Sequence, residues 1–280
     1  MSIVTRFAPS PTGFLHLGHA FSAIAAWRRA REAGGRFLLR LEDIDPSRCR
    51  PALADAILED LHWLGIDWDG PVRVQSENLS DYRAVLDTLS DRGLLYPCFC
   101  TRADIAREID TSVSAPHAPD GSLVYPGTCR ALSADRRAAR IAAGEGFALR
   151  LDMHRAATEP LSYIEEGAGE VMCDPAAFGD VVLARKDAPA SYHLCVTHDD
   201  ALQGVTLVTR GDDLRAATHI HRLLQALLDW PAPAYAHHRL LTDATGRRLA
   251  KRDRAATLRD LRASGASPAD VRRSLGLPGN

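Results

Sequence analysis

Two histidines three residues apart, His16 and His19, separated by Leu17-Gly18, are the side chains in this 280-residue sequence best placed to do chemistry. They follow Phe7-Ala8-Pro9-Ser10-Pro11-Thr12-Gly13, a run whose Pro and Gly mark a tight loop. They stand at the head of a helical pattern, Ala20, Phe21, Ile24, Ala25 and Trp27. A helix start offers N–H groups without intrahelical partners and a positive field, which suits a phosphate. Two imidazoles there can aim at one triphosphate, and Gly18, lacking a Cβ, lets a flat base lie on the backbone. The expectation is an ATP site built from Pro9, Ser10, His16, Gly18 and His19.

A second cationic group lies far along the chain, in Arg248-Leu249-Ala250-Lys251-Arg252, after Leu240-Leu241-Thr242-Asp243. Arg is the default cation of this sequence, and its only lysines are Lys186 and Lys251. Lys251 is expected to neutralise charge on a pentavalent α-phosphate, with Arg248 and Arg252 as helpers. The catalytic set is then His16, His19 and Lys251. Such a set fits attack of a carboxylate on the α-phosphate of ATP, with Mg²⁺-pyrophosphate leaving. That reaction needs positioning and charge stabilisation rather than a covalent enzyme intermediate.

The elements that must hold these groups read as α/β. Ile3–Phe7 is a short strand, the helix from His19 stops at Gly34-Gly35, and Phe37–Leu41 is a second strand. Strand, loop, helix and strand in this order make a βαβ unit and a parallel sheet. Arg6 and Glu42 fall at the C-terminal ends of the two strands, the edge where parallel sheets bind ligands. Arg6 can grip a carboxylate bidentately, and Glu42 can hold an ammonium. Further helices are expected over 51–64 and 79–92, and a strand over 94–96. Residues 98–185 break the rhythm and read as an insertion, with a helix over 133–143 and a strand over 147–151. The α/β pattern resumes near Ser191. It has a strand over 205–209, a helix capped by Asp212 or Asp213 and running to Trp230, and a last strand over 235–241. Ser267-Pro268-Ala269-Asp270 has the composition of a helix start.

Within the insertion, Cys98, Cys100 and Cys129 bracket a polar stretch, and three thiolates with one more ligand make a tetrahedral structural zinc site. His117 is one chemically usual fourth ligand.

The run Arg6-Phe7-Ala8-Pro9-Ser10-Pro11-Thr12-Gly13 with His16-Leu17-Gly18-His19 resembles the signature of class I aminoacyl-tRNA synthetases, in particular the glutamyl/glutaminyl branch. Arg248–Arg252 resembles the second signature of that class, with Arg for its first Lys and Ala for a Ser. The resemblance covers residues 1–255. It implies a Rossmann-like catalytic domain in two halves, 1–97 and 186–255, with a zinc-type α+β subdomain at 98–185 and a short helical tail at 256–280. It implies a glutamate site comprising Arg6, Phe7, Ala8, Pro9, Ser10, Glu42, Tyr192 and Arg210. Two arginines suit a substrate with two carboxylates. It also implies Tyr125 as the fourth zinc ligand, beside Cys98, Cys100 and Cys129. No helical anticodon-reading domain follows Arg252. In this the chain resembles the truncated glutamyl-type paralogues, which activate glutamate without tRNA and attach it to queuosine in the anticodon loop of tRNA(Asp).

Three other readings stand beside this one. A minimal synthetase acylating the tRNA 3′ end shares every motif but lacks the domain to find its tRNA. A nucleotidyltransferase shares H-x-G-H but not Arg6–Ser10 or the cysteine cluster. A non-catalytic regulator would not need His16, His19 and Lys251. The composition, 46% hydrophobic and 25% charged with net charge −2, is that of a globular chain. It confines any RNA contact to a local patch. No apolar run is long enough to cross a bilayer and no signal-peptide pattern opens the sequence. A cytoplasmic monomer is expected, with its cysteines reduced.

Overall fold

The computed structural model describes residues 2–110, 117–241 and 256–277. The first stretch gives β1 (Val4–Phe7), α1 (Leu17–Glu32), β2 (Arg36–Leu41), α2 (Pro51–Trp63), β3 (Arg73–Val74) and α3 (Leu79–Asp91). Next come β4 (Leu95–Cys98), α4 (Arg102–Asp110), α5 (Ala134–Ala142), β5 (Ala148–Leu151), α6 (Met153–Ala156), β6 (Ser162–Glu165), β7 (Gly169–Met172) and β8 (Val182–Ala184). The remainder holds α7 (Tyr192–Leu202), β9 (Leu207–Gly211), α8 (Ala217–Leu227), β10 (Ala234–His238), α9 (Leu258–Ala263) and α10 (Pro268–Ser274).

β1, β2 and β3 are parallel neighbours, as are β9 and β10. The two groups meet where β1 runs beside β9. Thr206 donates its N–H to the Val4 carbonyl at 2.9 Å, and Val4 donates to Thr206 Oγ1 at 2.8 Å. From this seam the chain builds outward in both directions, to β2 and β3 on one side and to β10 on the other. The strand order reverses there, and the crevice beyond the strand ends is where such sheets take ligands. α1 covers the sheet with a face of small and branched residues, Ala20, Ala23, Ile24, Ala26 and Ala30, all buried. Its last turn carries Arg29 and Arg31, cations that suit the negative helix end.

Several boundaries depart from the sequence reading. β9 begins and ends two residues later than expected, and β10 stops at His238 rather than Leu241. Neither Asp212 nor Asp213 caps α8, which starts at Ala217 with no side-chain cap. Asp212 opens a short 3-10 turn and accepts from Arg215 Nε at 2.6 Å. Within the stretch read as an insertion, β5 and β8 form a separate antiparallel sheet with β4. The β6–β7 hairpin instead extends the main sheet, with β6 parallel to β10.

The tail has a place that its sequence did not reveal. Leu258, Val271 and Leu275 are buried in the same core as α1, β2 and α2. Arg272 donates to the Leu64 carbonyl at 2.9 Å, closing the end of α2. Three short-range caps, at Ser133, Thr257 and Ser267, start α5, α9 and α10. Among the described residues, no helix is long and apolar enough to cross a membrane.

Candidate active site

A cleft of about 530 Å³ opens at the seam, beyond the C-terminal ends of β1, β2, β9 and β10. The loop after β1 forms one wall through Phe7, Ala8, Pro9 and Ser10. It is tied down by the Glu42 N–H donating to the Pro9 carbonyl at 3.0 Å and by Arg50 N–H to the Pro11 carbonyl at 3.1 Å. His16, Gly18 and His19 form a second wall, Glu42 and Tyr192 a third, and Arg210 with 238–241 the fourth. Every glutamate-site residue expected from the sequence, and all five ATP-site residues before position 20, therefore face one space. Arg248, Lys251 and Arg252 lie outside the described residues. The chain leaves the described part at Leu241, on the cleft wall, and re-enters beside His16. There Thr257 bridges to His16, and the Leu258 N–H donates to the Leu15 carbonyl at 2.8 Å.

The two histidines form a reciprocal cap. His16 Nδ1 accepts from the Gly18 N–H at 3.0 Å, and His19 Nδ1 accepts from the His16 N–H at 3.2 Å. The rings lie 3.8 Å apart between centroids. Because each Nδ1 must hold a lone pair, the neutral rings carry their proton on Nε2. Nε2 is then a donor, the role that a phosphate oxygen requires. Gly18 also has a second reason to be glycine: a Cβ there would sit 2.9 Å from His16 Cε1. A Cβ at this position would have to push the His16 ring out of its cap, whether or not a base stacks on this backbone.

Beneath the cleft lies a charge network absent from the sequence reading. Arg6, on β1 and 4% exposed, donates from Nε to Asp200 Oδ1 at 3.0 Å, from Nη2 to Oδ2 at 3.4 Å and from Nη1 to the Thr209 carbonyl at 3.3 Å. Arg6 is thus already held bidentately by a protein carboxylate; two of its five N–H groups remain. Arg40, fully buried on β2, also pairs with Asp200. Next to it Asp199 takes hydrogen bonds from Arg73 at 2.8 Å, Gln75 at 3.0 Å and Tyr82 at 2.9 Å. Asp199 and Asp200 come from α7, so a helix more than 150 residues away sets the guanidinium on β1. Nothing local distinguishes these two acids from ordinary helix residues; only their position in a run with buried Cys195, Val196 and Thr197 hints at burial.

Two charged groups in the cleft are left open. Glu42 Oε1 is buried with no hydrogen-bond partner. Burial raises its carboxyl to about 7 against the pull of Arg40 and Arg6. Arg210, 5% exposed, has three neutral acceptors and, among the described residues, no carboxylate: Nε donates to His237 Nε2 at 3.1 Å, Nη1 to His221 Nδ1 at 3.1 Å and Nη2 to Thr218 Oγ1 at 2.7 Å. Again two N–H groups remain. A second chamber of about 390 Å³ shares Ser10, Thr12, Glu42 and Tyr192 with the first.

The Sγ atoms of Cys98, Cys100 and Cys129 lie within 4.8 Å of one another, far from this cleft in sequence and on the β4–β5–β8 side of the fold. Cys100 and Cys129 are 3.5 Å apart, close to the ~3.8 Å edge of a tetrahedral zinc–thiolate site. The Tyr125 hydroxyl is 3.5 Å from Cys100 Sγ and accepts from the Cys129 N–H at 2.8 Å. His117 is not in the group; its backbone bridges to Leu123. Burial pushes the Cys100 thiol up to about 11, the cost of an apolar pocket that a bound cation would offset. The donor set therefore fits a soft tetrahedral metal.

Residues 2–279 match the family of class I tRNA synthetases (E and Q), catalytic domain. The chain is 53% identical to the glutamyl-Q tRNA(Asp) synthetase of Rhodobacter capsulatus, across 98% of this chain and 100% of that one. It is 47% identical to the enzyme of the same name from Nocardia farcinica, across 98% and 85%. Its fold is similar to the solved glutamate tRNA ligase of Elizabethkingia meningosepticum in complex with its amino acid. That match has a TM-score of 0.76 at 27% identity and covers 90% of this chain. The chain spans about half, 52%, of that structure's length.

Proposed function

The chain belongs to the class I tRNA synthetases for glutamate and glutamine, and from that premise we propose that it activates L-glutamate with ATP, without tRNA, and transfers the glutamyl group to queuosine in tRNA(Asp). One observation carries the amino-acid assignment: Arg210 is a buried cation with no anionic hydrogen-bond partner among the described residues, facing the same cleft as Glu42, whose buried Oε1 is unpartnered and which an incoming ammonium would hold in its ionised form. A buried charge left unpaired costs several kcal/mol, so the ligand must supply both complements. Glutamate does so with its γ-carboxylate on Arg210 and the open N–H groups of Arg6, and its ammonium on Glu42. Glutamine would leave Arg210 unneutralised.

With both ends held, the α-carboxylate is left to face the nucleotide. Nε2 of His16 and His19 donates to the phosphates at the head of α1, and Gly18 and the Pro9-Ser10 wall receive the nucleoside. Attack of the α-carboxylate on the α-phosphate gives the acyl adenylate as Mg²⁺-pyrophosphate departs, with Lys251, Arg248 and Arg252 assigned to the developing charge. A hydroxyl of the acceptor then attacks the activated carbonyl, and AMP leaves. Zinc, held by Cys98, Cys100, Cys129 and Tyr125, would brace the β4–β5–β8 side and has no part in these steps. We place the enzyme in the cytoplasm, where its RNA is, acting as a monomer.

The acceptor assignment follows the names of the relatives. Labelled glutamate should transfer to queuosine-containing tRNA(Asp) whose terminal adenosine has been replaced by 2′,3′-dideoxyadenosine, which removes the 3′-end acceptor and leaves the queuosine diol intact. Transfer confined to an intact 3′ end, on tRNA(Glu), would point instead to a minimal glutamyl-tRNA synthetase.

A further inference from the structure

The acceptors around Arg210 fix where three protons sit. Arginine does not give up its proton, so every nitrogen it donates to must hold a lone pair. His237 accepts at Nε2 and so carries its proton on Nδ1, which lies 2.7 Å from Glu165 Oε2. His221 accepts at Nδ1 and so carries its proton on Nε2, 3.2 Å from His193 Nδ1. His193 must then carry its own proton on Nε2, and it stands on the wall of the second chamber. The result is an ordered series, Arg210 to His221 to His193 on one side and Arg210 to His237 to Glu165 on the other. His221 is 3% exposed and Glu165 2%. Arg215, 3.1 Å from Glu165, completes the far end.

Neutral acceptors do something that carboxylates would not. A carboxylate against Arg210, like Asp200 against Arg6, would neutralise it within the protein. Imidazoles and a hydroxyl orient the guanidinium but leave its charge open. We infer that His221 and His237 are positioning residues that make Arg210 the selector for a carboxylate side chain, holding its two remaining N–H groups toward the cleft while withholding a counter-charge. This rests on the glutamate reading above and adds the means by which selectivity is set. Both rings are kept neutral by their surroundings. Burial and then Arg210 push His221 well below its ordinary value, and the same pair of causes lowers His237 against the opposing pull of Glu165.

The experiment compares His221→Leu with His221→Gln, whose carboxamide oxygen still accepts, by steady-state glutamate-dependent ATP–pyrophosphate exchange. His221→Leu should raise the KM for glutamate about tenfold, the loss of roughly one hydrogen bond to a charged group. The KM for ATP and kcat should stay near wild type, and His221→Gln should recover most of the loss. An unchanged glutamate KM in His221→Leu, or a Gln variant no better than Leu, overturns the inference. Nitrogen-15 spectra of the wild-type histidines supply a readout independent of activity and of variant folding. His237 should be the Nδ1–H tautomer and His193 and His221 the Nε2–H tautomer; a protonated or oppositely tautomeric His221 or His237 overturns the positioning role. Wild-type protein with these tautomers but no glutamate-dependent exchange would sink the glutamate reading and, with it, the selector role.

Discussion

Asp200 accepts from Arg6 at 3.0 Å and pairs with Arg40, so one carboxylate on α7 fixes guanidinium groups on two neighbouring strands. All three side chains are buried. Removing Asp200 takes the shared carboxylate from both guanidinium groups, leaving Arg6 only the Thr209 carbonyl and Arg40 the Val196 carbonyl and the more distant Asp199, and breaking a buried pair in this way costs about 3–5 kcal/mol. Asp200→Ala should therefore lower unfolding free energy by that amount in urea titrations. In protein that stays folded, it should raise the KM for glutamate through a displaced Arg6. A neutral effect on both would mean that the network is ornamental.

If Glu42 holds the substrate ammonium as proposed, glutamate binding is pH-dependent. Its carboxyl is raised by burial to about 7, above the ordinary 4.5. The neutral acid cannot counter an ammonium, so the KM for glutamate should fall as pH rises through about 7 and level off above it. In the free enzyme the stability linkage has the opposite sign. Below 4.5 both states are protonated; between 4.5 and 7 the unfolded chain ionises first, so stability falls with rising pH. Glu42→Gln should abolish both trends. A KM profile through pH 7 that is identical in wild type and variant would remove Glu42 from the ammonium site.

His193 has its acid form suppressed to about 4, first by burial and next by Arg210, against the pull of Asp120. Its ordinary value is 6.5. Below 6.5 the unfolded chain takes up a proton that the native state refuses, so stability should decline as pH drops from 6.5 toward 4. His193→Gln should flatten that decline when Tm is followed across the range. Equal slopes in wild type and variant would contradict the buried neutral ring.

The cysteine cluster predicts a metal content. Protein purified under reducing conditions should carry one zinc per chain by elemental analysis. Chelation or Cys129→Ser should lower the Tm while leaving glutamate-dependent exchange in the folded fraction close to wild type, since the cluster lies away from the cleft. Metal-free protein with unaltered Tm would show that the thiols are merely buried neighbours.

How much of this was legible beforehand depends on range. The βαβ unit, the α1 start, the bounds of α5 and the start of α10 rest on neighbours a few residues apart, and the sequence pattern placed them within a residue or two. That Arg6, Glu42, His16 and His19 would line one cleft was legible because strand ends and helix starts of a parallel sheet converge by topology. Asp199, Asp200, His221, His237 and Glu165 were not, because their partners lie across the fold: Arg6 and Asp200 are 194 positions apart. A polar residue in a helix has no local mark of such a partner. The docked tail escaped for the same reason, since the sites that Leu258 and Val271 fill belong to α1, α2 and β2. The expected cap at Asp212 is absent because a 3-10 turn over Asp212–Leu214 intervenes and α8 starts only at Ala217; the Asp212 carboxylate instead accepts from Arg215.

The central claim is that the cleft at the β1–β9 seam makes glutamyl adenylate. Its most direct test is ATP–pyrophosphate exchange by RNA-free wild-type protein across the twenty amino acids. The account predicts exchange with L-glutamate, far weaker exchange with glutamine and aspartate, and none without amino acid. Folded protein that exchanges equally well with glutamine, or not at all with glutamate, would contradict it.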